Sequence, residues 1–328
     1  MALNIAVIGA GMSGLTVAQA LSSIADIRVF EKSRGVGGRM ATRRIDEVSF
    51  DHGAQYFTIR SDRFRDSLNA QADGVIQSWN GEVASLGGDG LSQRFKPATP
   101  RYVGVPSMNA LPKAMSIGLD IRVDEQVAKI TGEPGRWFLH SADRREGPFN
   151  WIVATAPAPQ SSAVLPSRFA HHDTLGVVEM NACFTLMIRL DHDGTIPFAA
   201  ARIDDPVIDW ISSNNTKPGR SEAPCLVVNA NSMWADANID KPLDMIRQQM
   251  IETVRRYIKL TPSEGDAVVI HRWRYANVQR PAGSAYLLDR VSQLAACGDW
   301  CIGGRVEAAY LSGAALADAM REIIEASE

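Results

Sequence analysis

Gly9, Gly11 and Gly14 form a G-x-G-x-x-G run, and Glu31 follows Gly11 by twenty residues. This spacing offers one kind of chemistry, the capture of a diphosphate. The first glycine permits a tight turn, the second lets backbone approach a pyrophosphate, and the third lets a helix pack on a strand. Met12 and Ser13 complete the run and open the helix whose N–H groups and dipole favour the anion. Glu31 can accept hydrogen bonds from ribose hydroxyls, with Lys32 beside it.

A second basic and glycine-rich run is Glu31-Lys32-Ser33-Arg34-Gly35-Val36-Gly37-Gly38-Arg39. Its glycines let a loop lie against the pyrophosphate, and Arg39 can neutralise it. Arg43 and Arg44 read instead as a solvated basic face. Near the other end, Cys297-Gly298-Asp299-Trp300-Cys301 precedes Gly303-Gly304-Arg305-Val306-Glu307. The C-x-x-x-C pair reads as two small buried side chains rather than a redox disulfide. No Cys/His spacing suits a metal, and no serine sits in a nucleophile-elbow context.

The elements around these residues follow from periodicity. Residues 4–8 are a short apolar, branched run, as in a buried parallel strand, and 27–30 form a second strand ending at Glu31. Between them Leu15, Ala18, Leu21 and Ala25 recur at helical spacing. Residues 34–57 read as loop, 64–72 as helix, and a further helix starts near Ser107. Strands are expected at 119–130, 136–141 and 149–155, then at 176–190, 205–212, 224–232, 268–276 and 294–297. A long helix covers 240–259 and a terminal one 306–326.

That order predicts an α/β protein whose nucleotide domain draws on both chain ends. Residues 1–62, 99–160 and 290–328 form it, while 63–98 and 161–289 form an α+β substrate domain on a mixed or antiparallel sheet. The 328 residues carry a net charge of −3 and 45% hydrophobic residues, with no apolar run long enough to span a bilayer. Neither nucleic acid nor an anionic membrane is attracted globally, and no obligate protein partner is evident. The four cysteines are too few for a disulfide framework, and Met-Ala-Leu-Asn enters a strand without a signal peptide, so a cytoplasmic location is expected.

The Glu31 to Arg39 run resembles the extension E-(K/R)-x-x-x-x-G-G-R of the flavoproteins that include amine oxidases, phytoene desaturases and renalases. The resemblance implies FAD, bound non-covalently on a Rossmann-type domain of the p-hydroxybenzoate hydroxylase and amine oxidase kind (GR2). Gly38 and Arg39 then lie at the pyrophosphate, or Arg39 at a flavin oxygen. The block from Cys297 to Ala309 resembles the C-terminal G-D motif of that family. It implies Asp299 on the ribityl chain and the backbone of Val306 facing the isoalloxazine, where a helix N-terminus suits the charge of reduced flavin. Ala308 departs from the family's usual glycine. Ala54, Gln55, Tyr56 and Val127 complete the implied cofactor contacts.

Further stretches are similar to renalases, the bacterial ones above all. They include Asp51-His52-Gly53-Ala54-Gln55-Tyr56-Phe57-Thr58, Asp209-Trp210-Ile211 and His271-Arg272-Trp273-Arg274-Tyr275-Ala276. The activity implied is oxidation of aberrant 2- or 6-dihydro-NAD(P) isomers, with hydride passing to flavin N5 and electrons to O2, giving NAD(P)+ and hydrogen peroxide. Such hydride transfer needs a flat, shaped pocket more than acid–base groups. Tyr56, Trp210, Trp234, Trp273 and Tyr275 are the aromatics that could shape it; such residues are more often core than site, and Tyr56 is better placed because its motif follows the flavin-binding loop. Asn229 stands where related bacterial proteins tend to carry His, and His271 could donate to substrate or be a satisfied core residue. Arg305 occupies a position where amine oxidases carry a cage aromatic; it repels an ammonium group and suits an anionic one, or contacts FAD. The candidate catalytic set is therefore Tyr56, Asn229, His271, Trp273 and Arg305. A flavin amine oxidase or desaturase, and a non-catalytic FAD-binding protein, are the alternatives.

Overall fold

The computed structural model describes residues 3–87, 90–190, 196, 198–258 and 268–326. The chain opens with β1 (Asn4–Ile8), α1 (Met12–Leu21) and β2 (Asp26–Phe30). Alternation in β1 sends Ile5 and Val7 to one side and Ala6 and Ile8 to the other, each into a separate apolar cluster. A 3-10 turn at Gly38–Met40 leads to the hairpin β3 (Arg43–Ile45) and β4 (Val48–Phe50), in a stretch expected to be loop.

Helix α2 (Asp62–Gln71) precedes β5 (Ile76–Ser78), β6 (Val83–Gly87), β7 (Gly90–Phe95), β8 (Tyr102–Gly104) and α3 (Ala110–Met115). Gly88 and Asp89 of the GGDG run lie outside the described residues. The strand expected over 119–130 is two, β9 (Asp120–Arg122) and β10 (Lys129–Glu133), parted by residues that include Asp124 at φ 55°. β11 (Arg136–His140) and β12 (Arg145–Phe149) complete a three-stranded meander before β13 (Trp151–Ala154).

Then come α4 (Ala158–Val164), α5 (His172–Gly176), β14 (Glu179–Arg189), β15 (Ala200–Ile203), β16 (Ile208–Ser213) and β17 (Cys225–Ala230). The expected helix over 240–259 is preceded by a shorter one. α6 (Ser232–Asn238) is capped by the Asn231 side chain, and α7 (Leu243–Tyr257) starts after Pro242 at its N-cap. The chain closes with β18 (Val268–Arg280), β19 (Leu287–Asp289), β20 (Leu294–Ala296), the single turn α8 (Asp299–Ile302) and α9 (Val306–Glu325).

Two large sheets organise these elements. The first has the order β19-β20-β13-β1-β2-β9 and is parallel except for β19. α1 and α9 cross on one of its faces, where a Cβ on Gly313 would stand 2.6 Å from the carbonyl oxygen of Ser13. α2 also packs on that face through Phe64 and Leu68, although its sequence neighbours continue into the other sheet. The second sheet, β18-β14-β17-β16-β15-β6-β7, is mixed, with β15 and β6 the parallel pair. Phe184, Leu186, Leu226 and Val228 turn one face toward α6 and α7, while Met187, Cys225 and Val227 turn the other toward Val48 and Phe50 of the hairpin. No described helix is long and apolar enough to cross a membrane.

Candidate active site

The glycine turn is built as its spacing requires. Gly9 has φ 108°, and a Cβ on Gly14 would stand 2.0 Å from the Gly9 carbonyl oxygen. A Cβ on Gly11 would meet nothing within 4 Å, so open space lies against that backbone. Gly38, at φ 51°, approaches the Cα of Gly11 across this space. α1 starts at Gly11 with no side-chain cap and no acidic residue in its first turn, so its leading N–H groups are uncompensated. Ser13 is turned away, its hydroxyl donating to the Ala309 carbonyl, and Met12 is core. Buried Glu31 closes the turn, accepting from the Ala10 N–H and the Ser33 N–H, each at 2.8 Å, while Lys32 is exposed.

The two ends of the chain meet at Arg39. Its guanidinium makes a forked pair with Asp299, at 2.5 and 2.9 Å, and also donates to the Ala276 carbonyl. Arg39 and Asp299, expected on separate parts of one ligand, are thus direct partners. α9 likewise begins uncapped, with exposed Arg305 at its N-cap and Val306 half-buried. Glu307 turns from that terminus to accept from the N–H groups of Arg60 and Ser61. Val127 lies below the first sheet among Ile8, Phe30 and Ile130.

An open glycine cradle, a buried carboxylate at the end of β2 and two uncapped helix N-termini fit an extended diphosphate-bearing cofactor such as FAD.

Facing this cradle, the second sheet presents a register row. His271 pairs with Thr185, Thr185 with Asn229, Asn229 with Trp210, and Trp210 with Arg202. Directly opposed residues share a face, and Thr185 lies two residues from Met187, which faces the hairpin. The loop 51–56 spans the row. At one end the His52 ring lies 4.8 Å from that of His271 and stacks at 5.2 Å on Trp273, whose indole N–H donates to the His52 carbonyl. At the other end the Tyr56 ring lies 6.0 Å from that of Trp210. Between them Ala54 N–H donates to the Arg39 carbonyl. The Gln55 side chain is fully engaged inside the protein, donating to the carbonyls of Asp51 and Gly53 and accepting from Ser212 and Lys217.

Burial, then the facing His271, lowers the His52 pKa to about 4; burial and then Arg43 lower that of His271 to about 4. Both rings are therefore neutral at pH 7. Asp51 lies below the loop, fully buried with Lys217 at 3.3 Å and Arg220 at 2.5 Å. Burial pushes its carboxyl up, but these cations outweigh that and hold it below the usual range. Burial also lowers Lys217 to about 8, against the opposing pull of Asp51.

Several polar atoms along the row are buried without a partner: His52 Nδ1, Asn229 Oδ1, Trp210 Nε1 and Arg101 Nη1. Arg101 is 6% exposed, and its guanidinium carbon lies 4.2 Å from the Tyr56 ring centroid and 5.4 Å from that of Trp210. Sequence reasoning passed over Arg101, which precedes β8 in an unremarkable stretch and reaches the site only because Phe57 and Tyr102 exchange backbone hydrogen bonds. Of the aromatics proposed from sequence, Tyr56, Trp210 and Trp273 meet at the row. Trp234 does not; it packs at 5.9 Å on Phe184, on the α6 side of the sheet. Tyr275 is half-buried further along β18. Cys297 and Cys301 are buried free thiols, with burial pushing Cys297 well above its ordinary value and Cys301 up to about 12. No cluster among the described residues could hold a metal.

Comparison with known proteins places this geometry. Residues 7–70 match the NAD(P)-binding Rossmann-like domain, and residues 79–321 match the flavin-containing amine oxidoreductase model. Coproporphyrinogen III oxidases of Mycobacterium bovis and Mycobacterium tuberculosis are 32% identical over 160 residues, which is 46% of this chain and 30% of theirs. The matched stretch is thus under a third of the length of those relatives. Among solved structures, a protein of Exiguobacterium sp. 255-15 provisionally described as a protoporphyrinogen oxidase superposes with a TM-score of 0.79 at 14% identity, over 98% of this chain and 99% of that one. Cyclohexylamine oxidase of Brevibacterium oxydans superposes with 0.74 at 13% identity, over 99% and 100% of the two chains. These likenesses describe the fold.

Proposed function

Since the chain belongs to the flavin-containing amine oxidoreductase family and its cofactor is FAD, we propose that it oxidises dihydronicotinamide rings of NAD(P) isomers reduced at the 2 or 6 position. The observation that carries this reading is the pairing of Trp210 with Asn229 on adjacent strands, with Trp210 Nε1 and Asn229 Oδ1 both buried and unpartnered. A side-by-side donor and acceptor complement a primary carboxamide, whose carbonyl accepts from the indole and whose amide N–H donates to Asn229. Leaving both unsatisfied costs about 1–3 kcal/mol each, so a ligand that satisfies both gains affinity and orientation together.

Bound FAD supplies the two-electron acceptor, and dioxygen is the final oxidant, yielding NAD(P)+ and hydrogen peroxide. The chain's residues hold a flat ring between Tyr56 and the sheet face and keep water from it. Neutral His52 and His271 add no charge beside the ring, as suits a step that moves hydride rather than a proton. An ammonium substrate is poorly matched. The row from His271 to Arg202 contains no carboxylate, and the cation of Arg101 stands beside the rings of Tyr56 and Trp210. The cation beside the row is buried Arg101, whereas Arg305, expected from sequence to repel an ammonium group, is exposed.

A second reading, porphyrinogen oxidation, is favoured by the 160-residue similarity to the coproporphyrinogen III oxidases. Anaerobic mixing of the holoenzyme with borohydride-reduced NAD+, followed at the oxidised flavin band, separates the readings. Rapid bleaching by the 2- or 6-dihydro isomers is expected. Bleaching only by coproporphyrinogen III or only by amines overturns the proposal, as does reduction by dithionite alone.

A further inference from the structure

Among the described residues, Arg101 is the one arginine beside the row that is more than nine-tenths buried, and no carboxylate pairs with it. Buried Arg220, by contrast, is paired with Asp51, and Arg39 with Asp299. Arg101 sits on the Tyr56 and Trp210 rings instead, with Nη1 buried and bonded to nothing. Stacking on two aromatic faces stabilises a cation, but by less than withdrawing an ion from water costs. Burial lowers its pKa, Tyr56 opposes this, and Arg202, which pairs with Trp210 from β15, lowers it further, so a second positive group acts on the same place. A guanidinium is a planar fork that cannot be discharged at physiological pH, so the deficit is met by an anion rather than by losing a proton.

We infer that Arg101, assisted by Arg202, is an anion subsite beside the ring position, and that it takes a phosphate group of the substrate. This rests on the dihydronicotinamide reading above, in which the ring lies against Trp210 and Asn229 and its phosphate extends toward β15. Arg101 shares the aromatic platform with the ring, so phosphate and ring bind as one unit. Arg202 is exposed and lies at the row's end, where the anion would meet solvent. Specificity for nucleotide over free base then arises within this chain, from a residue far in sequence from the glycine cradle.

The test uses the holoenzyme and two stable oxidised ligands that differ by one phosphate, nicotinamide mononucleotide and nicotinamide riboside. Their dissociation constants are read from perturbation of the flavin spectrum. In the native protein the mononucleotide is expected to bind about 30-fold tighter, the size of a charge-assisted hydrogen-bonded pair. Arg101→Gln should shrink that ratio to within about threefold, Arg101→Lys should restore part of it, and exposed Arg202→Gln should reduce it by a smaller factor. Ligands that both bind, with a ratio near one in the native protein or one unmoved by Arg101→Gln, overturn the subsite while leaving the ring reading intact. Failure of either ligand to bind, together with no bleaching by dihydro isomers, overturns the ring reading instead. Release of FAD by Arg101→Gln, with the ratio unchanged under added FAD, would assign the guanidinium to the cofactor and end the proposal.

Discussion

Both carboxylate oxygens of Glu31 are held by backbone N–H groups, one in the glycine turn and one beyond β2. The residue thus shapes the cradle as well as offering lone pairs to a ribose. Glu31→Ala removes both roles, and FAD affinity should fall by about 10–100-fold, as expected for buried hydrogen bonds to a charged acceptor. Equilibrium dialysis of the flavin against the variant checks this; retention equal to the native protein would remove Glu31 from the cofactor site. His52 makes a different prediction, because its folded pKa of about 4 lies below the ordinary 6.5. Above pH 6.5 neither folded nor unfolded His52 carries a proton, and the residue adds no pH dependence. As pH falls from 6.5 toward 4 the unfolded chain binds a proton that the native site refuses, so stability drops, by on the order of 3 kcal/mol in full. His52→Gln should flatten the fall in melting temperature between pH 6.5 and 4.5; an unchanged slope would show that the ring is solvated. His52 stood inside a quoted motif, yet nothing in the motif distinguished it from its neighbours. Its neutrality arises from burial, to which the stacked Trp273 contributes, and then from His271, both more than two hundred positions away.

Among the elements, the first βαβ unit separates fold from binding. A Cβ on Gly14 collides with the Gly9 carbonyl at 2.0 Å, whereas one on Gly11 enters open space. Gly14→Ala should therefore push α1 off the turn and destabilise the protein by about 1–3 kcal/mol, in line with overpacking. Gly11→Ala should leave the apoprotein's denaturation midpoint within about 0.5 kcal/mol of native and weaken FAD binding at least tenfold. Urea titration of both apoproteins beside flavin binding tests the pair; equal loss of stability in the two would refute the division. This unit was legible because local signals agree there: an apolar strand, glycines, helical spacing and an acidic strand end. The second sheet was legible only as a class. The strands expected over 176–190, 205–212, 224–232 and 268–276 are β14, β16, β17 and β18, but β6, β7 and β15 were not expected, and β6 pairs with β15 from more than a hundred residues earlier. The helix over 240–259 is α7, starting after Pro242, while the shorter α6 before it, capped by Asn231, was not expected. Periodicity reports which face of a segment is buried; it carries no record of which distant strand will pair with it.

At the scale of the whole molecule, the candidate site exists only where the cradle of the first sheet meets the open face of the second. That explains what the sequence could and could not disclose about it. Gly9 to Gly14, Glu31, Arg39 and Asp299 lie in runs whose spacing carries their chemistry, whereas His52 and Asn229 acquire theirs from register across β14, β16, β17 and β18, and Arg101 its place from the Phe57–Tyr102 bridge. What fixes that register to the cradle is the buried triad of Asp51, Lys217 and Arg220, which joins the loop after β4 to the segment between β16 and β17. The triad holds two cations against one carboxylate, so its members are not equivalent. Asp51→Asn leaves two buried cations facing each other and should destabilise the protein by about 3–5 kcal/mol. Lys217→Met leaves the Asp51–Arg220 pair intact and removes a charge that burial already disfavours, since the lysine pKa is lowered to about 8. It should cost less than half as much. The carboxyl of Asp51 lies below its ordinary value, so its stabilisation is present at neutral pH and is lost as pH falls through and below 3.8. Urea denaturation at pH 7 gives the comparison directly. Equal losses in Asp51→Asn and Lys217→Met would mean that the join depends on shape alone, and that the excess positive charge beneath the loop has no part in setting the two sheets against each other.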